Sequence, residues 1–254
     1  MPNSFFKFKQ FTVNQDRCAM KVGTDGVVLG VTATFCDGGG SGSADAPKLH
    51  LVDVGAGTGL VSLMIKQRHP SACITAVEID PDAASQAQEN FDASPWKIEA
   101  VCSSWQNFAS RAEAEGKKFD GIFCNPPYFT ASLKAPSEKR TQARHNDSLP
   151  FTELISGVAA VLAENGLFYV ILPAQDKEGF EKLASEKGLV LSAITYVHPV
   201  EGSEAKRVVM CYKKAPALCG EGPVVENNLY LETITRGVYT ERFKTLISPF
   251  YLKL

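Results

Sequence analysis

Leu49-His50-Leu51-Val52-Asp53-Val54-Gly55-Ala56-Gly57-Thr58-Gly59-Leu60-Val61-Ser62-Leu63 is the stretch that decides the fold. A short apolar run meets a glycine-rich loop that passes directly into a helical segment, the strand, loop and helix order of a nucleotide-type ligand site. A phosphate-cradling loop carries a Lys after its last Gly, and a dinucleotide loop spaces its glycines as Gly-x-Gly-x-x-Gly. Here the glycines stand at 55, 57 and 59 and no Lys follows, so phosphate is not the indicated ligand. Asp53, expected at the mouth of the site, would repel pyrophosphate but suits the ammonium and sulfonium of S-adenosylmethionine. Gly55, Gly57 and Gly59 would allow the backbone to approach it closely. For the loop alone, a tight structural turn is the alternative.

Outward from this stretch, short β-rich runs alternate with longer amphipathic ones. Strands are expected at 49–54, 73–79, 97–102, 119–124, 166–172, 189–198 and 206–213, and helices at 59–69, 81–94, 105–115, 149–163 and 176–187. This pattern predicts an α/β fold, a seven-stranded, mainly parallel sheet with helices on both faces. The last two strands read as a hairpin turning at Val200–Glu204, which makes the terminal strand antiparallel. Residues 37–45, rich in Gly and Ser, form a low-complexity connector. It separates an N-terminal extension, residues 1–36, expected to pack on the core, from a main domain at 46–254. In the extension, Phe5–Phe11 reads as one strand with Phe6 and Phe8 on one face and Phe5 and Phe11 on the other, followed by a helix from Asp25 to about Phe35. The tail 236–254 reads as a helix folded back on the body.

The 254 residues, 44% hydrophobic, suffice for a sizeable core. No apolar run is long enough for a membrane span and the N-terminus lacks the pattern of a leader, so a soluble, cytoplasmic protein is expected, with no membrane partner. The seven cysteines contain no Cys-x-x-Cys pair, which indicates neither a disulfide framework nor a zinc site. The net charge of −2 conceals a segregation of charge. Residues 76–99 carry six carboxylates against Lys97, whereas 134–145 carry Lys134, Lys139, Arg140 and Arg144 against Glu138, and both chain ends are net basic. Converging in space, the basic segments would form a phosphate-attracting surface; otherwise they are solvated faces.

Two further strand ends supply candidate ligands. Glu78 closes the second strand about 20 residues beyond the glycine loop, where a carboxylate can accept both ribose hydroxyl hydrogens. Asp80, just before Pro81, reads as a helix cap. After the third strand, Ser103 stands where it could accept a bond from an adenine amine, although Ser103 or Ser104 could equally cap the next helix. After the fourth strand comes Asn125-Pro126-Pro127-Tyr128. The Asn125 side-chain oxygen and the Pro126 carbonyl can accept both hydrogens of a planar amine, drawing its nitrogen toward tetrahedral geometry, and Tyr128 can lie against the flat substrate. Asn125, Pro126 and Tyr128 are therefore the candidate catalytic residues, with Asn125 also bordering the cofactor. A turn braced by prolines is the alternative. No metal is required.

Glycine loop, acidic second-strand end and Asn-Pro-Pro-Tyr, in this order, resemble the class I (Rossmann-like) S-adenosylmethionine-dependent amino-methyltransferases. Phe8–Phe11, Asp16–Gly26, Ala87–Asn90, Ser94-Pro95-Trp96 and Phe250-Tyr251-Leu252 make the chain similar, over nearly its whole length, to the bacterial tRNA1(Val) adenine-37 N6-methyltransferase family. The resemblance implies N6-methylation of an adenosine beside the anticodon, a tRNA anticodon loop as partner, and Lys21, Thr24 and Asp25 over the methionine end of the cofactor. Ser103 departs from the family, in which Asp is usual. The basic segment 129–149, with His145, is the candidate RNA clamp. A monomer is favoured. Glutamine N5-methylation of a protein, guanine N2-methylation of ribosomal RNA, and an RNA-binding module that keeps the cofactor as a structural ligand remain the competing readings.

Overall fold

The structure, a computed structural model, describes residues 3–18, 20–35, 48–127, 149–215 and 223–253. Tyr128, the 37–45 connector and all of 129–149 except Leu149 lie outside them.

Among the described residues, eight strands form the main sheet: β3 (His50–Val54), β4 (Cys73–Glu78), β5 (Glu99–Cys102), β6 (Phe119–Cys124), β7 (Leu162–Pro173), β8 (Leu189–Val200), β9 (Arg207–Lys214) and β10 (Val225–Glu232). Their spatial order is β10-β8-β9-β7-β6-β3-β4-β5. Strands β7, β6, β3, β4 and β5 are mutually parallel, while β9 runs antiparallel to both β7 and β8. The hairpin is as expected, but its second strand inserts beside β7. The sheet ends instead on β10, an eighth strand parallel to β8 that the sequence pattern did not predict. Its residues, Val-Glu-Asn-Asn-Leu-Tyr-Leu-Glu, are mostly polar or half-exposed, as an edge position permits.

Alternating side chains sort into two cores, as a period of two requires. Leu51, Phe123 and Ile171 point to one face, which is covered by α1 (Thr24–Thr32), α2 (Leu60–Arg68), α3 (Pro81–Asp92) and α7 (Glu241–Ile247). Val52, Ile122, Val170 and Leu172 point to the other, under α4 (Trp105–Ala114), α5 (Phe151–Val161) and α6 (Lys177–Glu186). The tail is thus a seven-residue helix rather than one running through 236–254.

The N-terminal segment departs from a single strand. It forms a small hairpin of β1 (Phe5–Lys7) and β2 (Thr12–Asn14), and the turn between them carries Phe8 and Phe11 to the same side. Both are buried, with ring centroids 4.6 Å apart. Apolar burial overrides the alternation that would have exposed one of them. Two fully buried polar side chains on one face of α3 fasten the chain from the end of β2 onward. Asn90 accepts from the Asn14 N–H (2.9 Å) and donates to the carbonyls of Asn14 and Thr58, both at 2.9 Å. Gln86 accepts from the Arg17 N–H (3.1 Å) and donates to Asp16 (2.6 Å). The chain entering the glycine-loop region is therefore bonded to the same helix as the loop itself.

Asp80 caps α3, accepting from the N–H groups of Asp82 and Ala83, with Pro81 in the first turn. The helix presents Ala83, Ala84 and Ala87 inward, and Phe91 packs beneath Gly59, which has φ +79°. A Cβ at Gly59 would lie 2.4 Å from the Phe91 ring. Gly59→Ala is accordingly expected to destabilise the fold by about 2 kcal/mol or more through clash and left-handed strain. Denaturant titration should show Phe91→Leu recovering part of that loss; no loss in the single variant would refute the close approach.

Candidate active site

Four adjacent parallel strands end together. Register pairs Val54 with both Val77 and Cys124, and Glu78 with Cys102, so the glycine loop, Glu78, Ser103 and Asn125 emerge side by side at the carboxyl edge of the sheet. This is where ligands bind in open α/β sheets.

Two cavities meet there, sharing Met20, Gly55 and Gly57. The larger, about 920 Å³, is bordered by Lys21, Thr24, Asp25, Asp53 and Asn125. The smaller, about 500 Å³, is bordered by Glu78, Ser103, Trp105 and Pro126. Of the expected site residues that are described, only Gly59 borders neither, because it faces Phe91.

The glycine loop is braced from below. Asp53, expected at the mouth, is 2% exposed, yet it still borders the larger cavity. Its Oδ2 accepts from the Ser62 N–H (3.2 Å) and hydroxyl (2.7 Å), capping an α2 N-terminus whose own cap residue, Gly59, has no side chain to do so. Burial pushes the Asp53 carboxyl up to about 7, the Ser62 bonds oppose this, and the nearby Glu78 charge adds to it. Gly57, at φ +53°, turns its N–H onto Glu78 Oε2 at 2.8 Å, and Glu78 Oε1 accepts from the Asp80 N–H at 3.0 Å. Gly55 and Gly57 each face open space where a Cβ would stand.

Around this loop, Ser103 donates to the Ser104 carbonyl (3.0 Å), and Ser104 is the residue that caps α4. Asp25 does not cap α1, whose cap residue is Gly23. It sits in the first turn and pairs with Arg207 of β9, Nε to Oδ2 at 2.9 Å. Asn125 lies beside α1: a Cβ on Gly26 would be 4.0 Å from Asn125 Nδ2 and 3.1 Å from Leu60. Cys18 and Cys124 border the smaller cavity. Burial raises the Cys18 thiol to about 11 and Cys124 well above its usual value, so both stay neutral and un-nucleophilic.

Several contributors were not read from the sequence. Ser62, three residues after Gly59, was legible as a capping-turn position. Arg207, 182 residues from Asp25, carried no sequence signal. Met20 lies inside the Asp16–Gly26 stretch and Trp105 opens an expected helix, and neither carries a binding signal of its own.

Comparison with known proteins gives the family and the fold. A family model described as methyltransferase small domain matches residues 44–183. A tRNA1(Val) (adenine(37)-N6)-methyltransferase of Phocaeicola vulgatus is 44% identical over 256 aligned positions, with all of both chains covered. Among solved structures, a predicted O-methyltransferase from Agrobacterium tumefaciens superposes with a TM-score of 0.61 at 19% identity, covering 89% of this chain and 96% of the other. TYW2 of M. jannaschii, solved in complex with AdoMet, gives 0.53 at 10% identity, covering 83% and 85%. At such identities the two structures show the fold, that of methyltransferases. The chain belongs to the methyltransferase small-domain family and, within it, to the tRNA1(Val) (adenine(37)-N6)-methyltransferases.

Because burial dominates at Asp53, its carboxyl holds a proton more tightly folded than unfolded. The associated stabilisation is complete below 3.8 and is lost as pH rises through about 7. The unfolding free energy of the wild type relative to Asp53→Asn should therefore be most favourable in acid and decline toward pH 7. A pH-independent difference in denaturant titrations would refute this.

Proposed function

We propose that this protein transfers a methyl group from S-adenosylmethionine to N6 of adenosine 37, beside the anticodon of tRNA1(Val), in the cytoplasm. The observation that carries the reading is the position of Asn125, beside the glycine loop and on the border of the larger cavity, with Pro126 on the smaller.

The residues present fit the cofactor. Gly55 and Gly57 leave open space above a positive-φ backbone, and the carboxylates nearby, Asp53 and Glu78, suit a ligand with cationic and hydroxyl groups. In this reading Glu78 holds the ribose, Ser103 lies on the adenine side, and Lys21, Thr24, Asp25 and Asp53 surround the methionine end. When bound, S-adenosylmethionine supplies the electrophilic methyl group. The protein's part is alignment and the placement of acceptors where positive charge develops on the attacking nitrogen. The Asn125 oxygen and the Pro126 carbonyl would each take one amine hydrogen. Tyr128, assigned from the sequence, would stack on the extruded base and replace a contact worth about 1–3 kcal/mol. An unpaired anticodon loop makes that extrusion cheaper than in a duplex. Residues 1–36 are read as an extension serving a catalytic domain at 46–254. Among the described residues, no helix is long and apolar enough to cross a membrane.

The decisive assay is methyl transfer to tRNA lacking the modification, with mass spectrometry locating the product; incorporation into protein or into another base would defeat the proposal. Asn125→Ala should reduce kcat on the order of 100-fold or more while cofactor affinity stays close to that of the wild type. Equal losses of both would make Asn125 a structural residue. Glu78→Ala should weaken cofactor binding roughly 10- to 100-fold in calorimetric titration, the equivalent of a lost charge-assisted hydrogen bond. An unchanged titration would remove it from the ribose role.

A further inference from the structure

The larger cavity runs well past Asn125, to the start of β9 and to the connection between β10 and α7. That connection, residues 233–240, is tightly self-bonded. The Thr233 N–H donates to the Val238 carbonyl (2.8 Å), the Val238 N–H to the Thr235 carbonyl (3.1 Å), and the Gly237 N–H to the Glu232 carboxylate (2.9 Å). Thr240 ties its far end down through the carbonyls of Leu231 and Tyr230. On this ordered loop Ile234 is 83% exposed at the cavity rim, an arrangement that burial of apolar surface alone would not select.

The charge of the same wall is uneven. Lys21, Lys206, Arg207 and Arg236 border the cavity, against Asp25, Asp53 and Glu232. Asp25 is matched by Arg207, and Asp53 lies under the α2 N-terminus. Among the described residues, the ion pair of Lys206 is a 4.0 Å approach to Glu204, both well exposed, which water screens. Glu232, whose carboxylate accepts from the Gly237 N–H, offsets one positive charge, and Lys206 and Arg236 together still leave cationic charge next to an exposed aliphatic side chain, beside the pocket where a base would enter.

We propose that Lys206, Arg236 and Ile234 form the wall on which the RNA strand lies next to the target nucleotide. Lys206 and Arg236 neutralise the flanking phosphates, and Ile234 packs against the neighbouring base, filling part of the stack that the extruded adenine leaves. RNA, rather than a protein segment, is the occupant favoured by cationic side chains flanking an exposed aliphatic one. The inference rests on the tRNA reading above and adds to it the surface that orients the strand.

The test measures tRNA affinity against salt concentration, and KM and kcat for methylation, for wild type, Lys206→Ala/Arg236→Ala and Ile234→Ser. Cofactor titration and thermal melting report on folding. The double variant should lower the slope of log affinity against log salt by about 1.4, two phosphate contacts on a single strand at about 0.7 each. It should also raise KM for tRNA, with cofactor affinity retained. Ile234→Ser should raise KM several-fold and leave the slope unchanged, and Ile234→Leu should restore KM, which a merely structural role would not predict. Unaltered slope and KM in the double variant, with a wild type that methylates tRNA, would overturn the wall and leave the enzymatic reading standing. A wild type that neither binds nor methylates RNA would overturn both.

Discussion

A single buried carboxylate sets the geometry of the site. Asp53, next to the end of β3, points to the face that carries α2, and its Oδ2 receives both donors of Ser62 in the first turn of that helix. The orphan N–H groups of a helix start need a partner. Gly59 cannot supply one, because only glycine tolerates Phe91 packed beneath it. The cap is therefore delegated to the preceding strand, and the loop from Gly55 to Thr58 is closed between two ends of one small ring. The cost is a charge held out of water, visible in an Asp53 carboxyl raised to about 7. That cost is tolerated where the same residue both braces the loop and borders the cavity.

A second constraint comes from α3. Its buried Asn90 bonds to residue 14 on one side and to the carbonyl of Thr58 on the other, while Gln86 bonds to residues 16 and 17. Both side chains are fully buried, so losing any of these partners would leave polar groups unsatisfied at a cost of about 1–3 kcal/mol each. The N-terminal chain and the glycine loop thus move as one body with α3. This is why Lys21 and the loop from Gly55 to Thr58, more than 30 positions apart in sequence, border one cavity.

The parallel half of the fold was legible in the sequence because β3, β4 and β6 are largely buried apolar runs and α3 and α4 start with a local signal. Asp80-Pro81 and Ser104 cap the helices they precede, and β6 spans the predicted 119–124. What escaped depends on contacts remote in the chain. β10 has an edge strand's polar composition and no local mark of pairing with β8. Phe8 and Phe11 alternate like a strand but are gathered by a turn because the core beneath accepts both rings. At the site, Glu78 and Asn125 followed from strand ends, whereas the depth of Asp53 and the ion pair of Asp25 with Arg207 depend on which elements fold over them. Position 53 reads the same at a rim or under a helix until Ser62 is placed.

Segregation of charge gives the small net value of −2 its meaning. Asp53, Glu78 and Asp80 cluster on the glycine-loop side, where Glu78 and Asp80 border the smaller cavity, while Lys206 and Arg236 stand at the far end of the larger one. At physiological ionic strength exposed charges are screened over about 8 Å, so each group acts mainly on its near neighbours. A cation-bearing donor and a polyanionic acceptor must be drawn to the same edge of one sheet without either field cancelling the other. The Asp25–Arg207 pair lies where the two regions meet, neutral as a unit and bridging α1 to β9. Removing either partner would do more than break a bond: it would shift the charge balance of the site, toward negative without Arg207, which repels phosphate, and toward positive without Asp25, which opposes the donor's charge.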